Sequence, residues 1–223
     1  MGHWITLKPE GAGPIQAWRA DPTGKPRGGI VVIQEIFGVN HHIRSVSDRF
    51  AALGYAAVAP ALFDRFVRNF ETGYTPDDIA NARKYLTNID WDALVRDTAA
   101  AIEEVRPVGP VGVIGFCMGG SVAFLTATRV DGLAAAICFY GGQIIRFADQ
   151  KPRCPTQMHF GEKDASISLS DVATIAEKRP DCEVYRYPAE HGFCCDERAS
   201  FHAESASIGW MRSIRLFDQV TAQ

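Results

Sequence analysis

Val111-Gly112-Val113-Ile114-Gly115-Phe116-Cys117-Met118-Gly119-Gly120-Ser121-Val122-Ala123-Phe124-Leu125 reads as a strand, a sharp turn and a helix, with a cysteine at the apex. The apolar run 111–114 suits a buried strand, and 121–125 suits a buried helix. A G-x-[nucleophile]-x-G turn needs small flanking residues, because the apical residue sits in a sparsely populated backbone conformation and side chains beside it would collide with neighbouring turns. Such a turn pushes the Cys117 side chain out over the sheet edge. There it meets the unsatisfied amides and the positive dipole end of a helix N-terminus, which favour thiolate over thiol.

Working outward, the chain alternates strand and helix signals. Residues 4–7 and 15–19 are short β-like pieces joined through Pro9-Glu10-Gly11-Ala12-Gly13-Pro14, an edge hairpin. The β-branched run 29–33 predicts a strand buried on both faces. A helix follows over 40–52, with Ile43, Val46, Phe50 and Leu53 on one stripe and Gly54 ending it. Residues 55–60 form the next strand, and a loop rich in Phe and Arg over 63–73 could wall a pocket. A short helix over 75–85 and a stronger one over 91–105, with Leu94, Val95, Ile102 and Val105 inward and Pro107 stopping it, lead to the cysteine strand. Beyond the elbow, strands are expected at 133–140, 156–160 and 183–187, with a helix over 171–178. A last helix over 201–217 turns Ala203, Ala206, Trp210, Ile214 and Phe217 inward.

This alternation predicts one α/β domain over residues 1–223, with a mostly parallel central sheet of about eight strands. Helices lie on both faces and an antiparallel hairpin sits at the N-terminal edge. No internal repeat, low-complexity segment or linker interrupts it.

Composition narrows the function classes. The chain has 223 residues, enough for a substantial core, and 47% hydrophobic with 22% charged residues is ordinary for a globular protein. A formal net charge of -3 gives no electrostatic case for nucleic acid or an anionic membrane. The N-terminal residues lack a basic segment followed by an apolar core, and no apolar run reaches about 18 residues, so a cytoplasmic protein with no membrane partner is expected. Six cysteines are too sparse for a disulfide scaffold. Cys138 and Cys154 read as inert core or loop residues, Cys182 as a loop residue, and the adjacent Cys194-Cys195 pair has poor geometry for a disulfide. No C-x-x-C pair suggests zinc, and no metal is expected.

In open α/β sheets reactive groups gather beyond the carboxyl ends of the strands. Two titratable candidates stand there. Asp164 follows the strand over 156–160, and His191, in Pro188-Ala189-Glu190-His191-Gly192-Phe193, follows the last strand. The chain order Cys117, Asp164, His191 is the order of nucleophile, acid and histidine in the α/β-hydrolase fold. A thiol with a pKa near about 8.5 needs a neighbouring base to react at neutral pH. His191 can supply that base and later return the proton to a leaving alkoxide, while Asp164 fixes the imidazole tautomer. Asp171 competes for the acid role, but Ser168-Leu169-Ser170-Asp171 is a helix start. The amides of Met118 and, after the 30–33 strand, Ile36 are the expected oxyanion hole.

Gln34-Glu35-Ile36-Phe37-Gly38-Val39-Asn40, Ile43-Arg44, Asp48-Arg49, Ala59-Pro60, the Cys117 elbow, Gly161-Glu162-Lys163-Asp164 and His191-Gly192-Phe193 together resemble the dienelactone hydrolase family. The resemblance spans nearly the whole chain. It implies hydrolysis of a small lactone or ester through an acyl-cysteine, without a cofactor, by a monomer or small homo-oligomer. It also implies that Glu35 sits by the thiol and helps generate the thiolate when substrate arrives. The family's best-known members clamp a substrate carboxylate with two arginines, one shortly after the histidine. Here no arginine follows His191 before Arg198, while Arg65, Arg68, Arg83 and Lys84 are candidates for the other cation. Phe37, Phe63, Tyr85, Trp91 and Phe193 are candidate pocket linings. A glutaminase-type site also uses an elbow cysteine, but orders its histidine before its acid. A catalytically idle hydrolase fold, used for binding or for redox sensing through Cys117, is the reading from outside enzymology.

Overall fold

The computed structural model describes residues 2–87 and 89–221. Its contacts separate into two compact units, Met1–Val111 and Gly112–Gln223.

In the first unit, β1 (His3–Leu7) and β2 (Ile15–Ala20) form the expected antiparallel hairpin, with Trp4 opposite Trp18. β2 pairs antiparallel with β4 (Ala56–Pro60), and β3 (Gly29–Ile33) pairs parallel with β4, giving the order β1-β2-β4-β3. Every residue of β3 and β4 is buried, as a continuous apolar run covered on both faces requires.

Helix α1 (His41–Ala52) starts at Asn40, whose side chain accepts the Ile43 amide at 3.2 Å, and it buries Ile43, Val46 and Phe50. Leu53 departs from the expected stripe and is 38% exposed. The helix has already ended at Ala52, and the left-handed turn at Gly54 (φ 93°) carries the chain away. The loop after β4 begins as a 3₁₀ turn, Leu62–Arg65. Its Arg65 grips the fully buried Asp97 through two contacts of 2.6 Å. Helix α2 (Pro76–Arg83) opens on a reciprocal cap between Thr75 and Asp78, and a 3₁₀ turn, Lys84–Leu86, continues it. Helix α3 (Trp91–Val105) is capped by Asp90 and buries the four expected apolar residues. α3 ends at Val105, just before Pro107 as expected, and the proline lies in a 3₁₀ turn, Arg106–Val108.

In the second unit β5 (Val111–Phe116), β6 (Leu133–Phe139), β7 (Thr156–Gly161) and β8 (Glu183–Tyr187) follow one another in chain order. The pairs β6–β7 and β7–β8 are parallel. Helix α4 (Met118–Arg129) is buried along residues 118–128. A short helix α5 (Ile144–Phe147), which the sequence pattern did not predict, follows β6. Helix α6 (Leu169–Lys178) is capped by Ser168, and Asp171 stands in its first turn.

Helix α7 (Ala203–Thr221) corrects the expected inward stripe. Ser205, Gly209, Ser213, Leu216 and Phe217 are buried, whereas Ala203 is exposed and Ala206, Trp210 and Ile214 are only half-buried. Small residues face inward because α7 lies close on β6: a Cβ at Gly209 would come within 2.9 Å of the Phe139 ring. Of the expected stripe hydrophobicity marked only Phe217 correctly, since close approach selects for size. Eight strands are present among the described residues, with β1 antiparallel to β2 and β2 antiparallel to β4. With helices around them, they form the α/β-hydrolase architecture expected.

Candidate active site

The elbow is built from backbone crowding. β5 ends at Phe116 and α4 begins at Met118, which leaves Cys117 alone between them at φ 55° and ψ -117°. A Cβ on Gly115 would fall 1.9 Å from the Gly119 carbonyl oxygen, and one on Gly120 would fall 2.3 Å from that of Phe139. Only glycine fits at either position. The Cys117 amide donates to Phe139 O at 3.0 Å, and the Gly120 amide donates back to Cys117 O at 3.0 Å. The strained residue is therefore held from both sides, which is the condition for such a conformation to persist. Its side chain is partly exposed at the N-terminus of α4.

Two loops at the ends of β7 and β8 bring the acid and the histidine together. The Glu162 amide donates to Tyr187 O at 2.7 Å and the Lys163 amide to Ala189 O at 3.0 Å. A Cβ at Gly161 would meet Ala189 O at 2.3 Å, so the two loops lie backbone to backbone. In this frame Asp164 accepts the Ser166 amide on Oδ1 at 2.8 Å and stands 2.7 Å from His191 Nδ1 through Oδ2. The carboxylate is fully buried, while the imidazole keeps 20% of its side chain exposed.

His191 is also hydrogen-bonded to the Cys117 side chain. Burial alone would push its pKa down. Charge on the Cys117 sulfur, the hydrogen bond donated to Asp164 and the hydrogen bond with Cys117 more than offset this, and the pKa is pushed up to about 10. Cys117, Asp164 and His191, singled out from their order in the chain, thus meet through the His191 ring. A sulfur, an imidazole and a carboxylate so arranged can pass a proton between sulfur and ring while the acid holds the ring's far nitrogen.

The remaining expected residues fall in several environments. Glu35 and Ile36 follow β3 and are buried. The Tyr74 hydroxyl donates to Glu35 Oε2 at 3.3 Å, and Gln34 Nε2 donates to the Glu35 carbonyl at 3.1 Å. Phe37 is buried with its ring edge-on to Tyr74 at 4.7 Å. Arg83 is exposed in the last turn of α2, and Tyr85 is half-buried with its ring 5.1 Å from Phe70. Phe193 is wholly buried, its ring 5.4 Å from Tyr140 and 5.1 Å from Tyr187. Arg198 reaches back to the residue after the histidine: a Cβ on Gly192 would lie 2.5 Å from its Nη1.

All six cysteines are free thiols. Burial pushes the Cys138 thiol far up, Cys154 to about 11 and Cys182 to about 12, so these three stay protonated and inert near neutrality. Sequence reasoning passed over Tyr140, which directly follows β6 at φ 37°, and His159 inside β7. For Tyr140 the only available signal was Gly141-Gly142 immediately after it; His159 carried none.

Residues 15–221 match the Dienelactone hydrolase family. A Synechocystis protein described as "Putative carboxymethylenebutenolidase" is 38% identical over 208 residues, covering 84% of each chain. Carboxymethylenebutenolidase 1 of Cupriavidus pinatubonensis is 26% identical over 227 residues, covering 97% of this chain and 96% of its own. Among solved structures, a Klebsiella pneumoniae protein described as a "Putative Dienelactone Hydrolase" aligns with a TM-score of 0.86 at 29% identity, over 98% of this chain and 99% of that one. Among the described residues no helix is long and apolar enough to cross a membrane.

Proposed function

This chain belongs to the dienelactone hydrolase family, and from that premise we propose that it hydrolyses a small lactone or carboxylic ester through an acyl-cysteine intermediate. The observation that carries this reading is the single imidazole of His191, bonded at once to Cys117 and to Asp164. The Cys117 thiol gives its proton to His191 as its sulfur attacks the carbonyl carbon, and the carbonyl π electrons move onto oxygen. The Met118 amide, at the first turn of α4, and the Ile36 amide are its proposed donors, each contributing about 2.7–4 kcal/mol to the transition state. Collapse breaks the bond to the ester oxygen, which takes its proton from the His191 imidazolium. Water then gives a proton to His191 and its oxygen to the acyl carbon, and the sulfur leaves as thiolate. From a lactone the alcohol stays tethered, so one product forms, carrying both a carboxylate and the released oxygen. No step draws on a metal or an organic cofactor.

Glu35 is proposed to promote thiolate formation when substrate arrives, which keeps the resting thiol from reacting with bystanders. Glu35→Gln is expected to lower kcat with the fold intact; wild-type turnover and wild-type thiol alkylation in that variant would make Glu35 structural. Arg198, held beside Gly192, is the proposed cation for a substrate carboxylate, and Phe37, Arg83, Tyr85 and Phe193 are the proposed remainder of the pocket. Arg198→Gln then raises KM for carboxylated lactones and leaves uncharged ones unchanged. We place the enzyme in the cytoplasm, acting as a monomer or small homo-oligomer on small molecules. The deciding experiment assays p-nitrophenyl acetate and a panel of lactones, with and without a carboxylate, against Cys117→Ala and His191→Ala. Turnover that survives either substitution removes the assignment; a wild-type protein that turns over none of the panel is a binding or redox-sensing hydrolase fold instead.

A further inference from the structure

Among the described residues of the second unit, two non-glycine residues have a left-handed backbone, Cys117 at φ 55° and Tyr140 at φ 37°. Both touch His191. Cys117 does so by its hydrogen bond, and Tyr140 by its ring, whose centroid lies 5.1 Å from that of the imidazole at an interplanar angle of 57°. For a bulky aromatic residue a positive φ is a true outlier, and such outliers persist only where the surroundings overdetermine them.

They are overdetermined here. On one side of Tyr140 the Phe139 carbonyl accepts the Cys117 amide at 3.0 Å, and on the other a Cβ at Gly141 would come within 2.8 Å of Ser121 N. The Tyr140 amide itself donates to His159 O at 2.7 Å. The elbow that strains Cys117 therefore also strains Tyr140, and the strain turns a fully buried ring toward the histidine. Behind that ring stand Phe193 at 5.4 Å and Phe139 at 5.9 Å, so it cannot retreat.

We propose that Tyr140 is a positioning residue for His191, its ring fixing the plane of the imidazole while Asp164 fixes the Nδ1 end. The hydrogen bond to Asp164 alone leaves the imidazole free to swing about its Nδ1 contact, and such a swing would carry Nε2 off the line to sulfur. A ring wedged between the imidazole and Phe193 removes that freedom. The inference rests on the triad reading above.

Three variants test it: Tyr140→Phe, which keeps the ring; Tyr140→Asn, which tolerates a left-handed backbone but has no ring; and Tyr140→Leu, which fills space without a flat face should the asparagine variant not fold. Each is measured for kcat and KM on an ester substrate and for the His191 titration by NMR. Tyr140→Phe should stay near wild type in all three. The ringless variants should lose kcat by about 10- to 100-fold, the scale of a misplaced catalytic group, with KM little changed and the His191 titration midpoint moved down toward that of a free histidine. Wild-type kcat and titration in a folded ringless variant overturns the proposal, and so does a loss in Tyr140→Phe as large as in Tyr140→Asn. The titration separates this failure from failure of the triad: it reports the imidazole's setting whether or not Cys117→Ala has abolished turnover.

Discussion

His159 and His191 lie in the same unit, and each has Nδ1 within hydrogen-bond distance of an oxygen, at 2.8 Å from Tyr187 Oη and 2.7 Å from Asp164 Oδ2 respectively. Each also packs against an aromatic ring, Phe139 stacking on His159 at 4.4 Å and Tyr140 tilting against His191. Their proton affinities nevertheless move in opposite directions. Burial, reinforced by the positive charge of Arg212, pushes His159 down to about 3. At His191 burial acts the same way, but Cys117 and Asp164 reverse it and lift the group to about 10. A phenol leaves a neighbouring imidazole neutral; a carboxylate and negative charge on a sulfur stabilise a charged one. Burial pushes both down; what turns one histidine into a candidate base and leaves the other in the core is the sign of the charges around it.

The strongest way to break this contrast is to remove the sulfur. Cys117→Ala takes away the proposed nucleophile and one of the two groups that raise His191, and should cost about 10⁶-fold in kcat, as nucleophile deletions do in other triads. The folded variant's His191 should also titrate lower, which NMR reads directly. Turnover within about tenfold of wild type would leave the contrast between the histidines without catalytic meaning.

Asp164→Asn is the next largest perturbation. It keeps the shape but presents Nδ1 with a neutral partner, as Tyr187 presents to His159, and should lower kcat about 10⁴-fold by favouring the wrong tautomer. It also tests linkage. A histidine raised above its unfolded value near 6.5 contributes stability that is fully present below pH 6.5 and is lost as pH rises through about 10. Urea melts from pH 6 to 10 should show that decline in wild type and a flatter profile in Asp164→Asn. Equal slopes in the two proteins would mean that Asp164 does not hold the imidazolium.

The sequence made one of these histidines visible and hid the other, for a physical reason. His191 follows a strand end in a loop with Pro188, Gly192 and the elbow order around it, and loops at carboxyl strand ends carry a function-specific pattern. His159 occupies a position in β7 that any buried residue could fill, and its importance comes from Tyr187 and Arg212, which lie 28 residues and more along the chain. The same divide runs through the fold. Strands β3, β5 and β8 and helix α3 were legible from local periodicity. Most of the inward face of α7 was not, because the close approach of the Phe139 ring at Gly209 selects by size. The strain at Tyr140 was equally silent, since it is imposed by Gly120 and Ser121 across space.

The smallest expected effect is also the one that isolates His159. Its neutral state makes stability depend on pH in the opposite sense to His191. Below pH 6.5 the unfolded chain binds a proton on this residue that the folded protein refuses until about pH 3, so stability is present above 6.5 and is lost as pH falls. One such group contributes a slope of about 1.4 kcal/mol per pH unit across that window. His159→Asn retains an acceptor near the position of Nδ1 and has nothing to titrate. It should be less stable at every pH, because it loses the stack on Phe139, yet the difference from wild type should shrink steadily between pH 6 and 4. Arg212→Gln sharpens the same point from outside: it removes the positive charge and the hydrogen bond donated to Tyr187 Oη at 3.0 Å, so the wild-type slope should persist but begin to level off at a higher pH. Parallel stability curves for wild type and His159→Asn would show that His159 takes up its proton in the folded state, and the opposition between the two histidines would then reduce to a difference in burial alone.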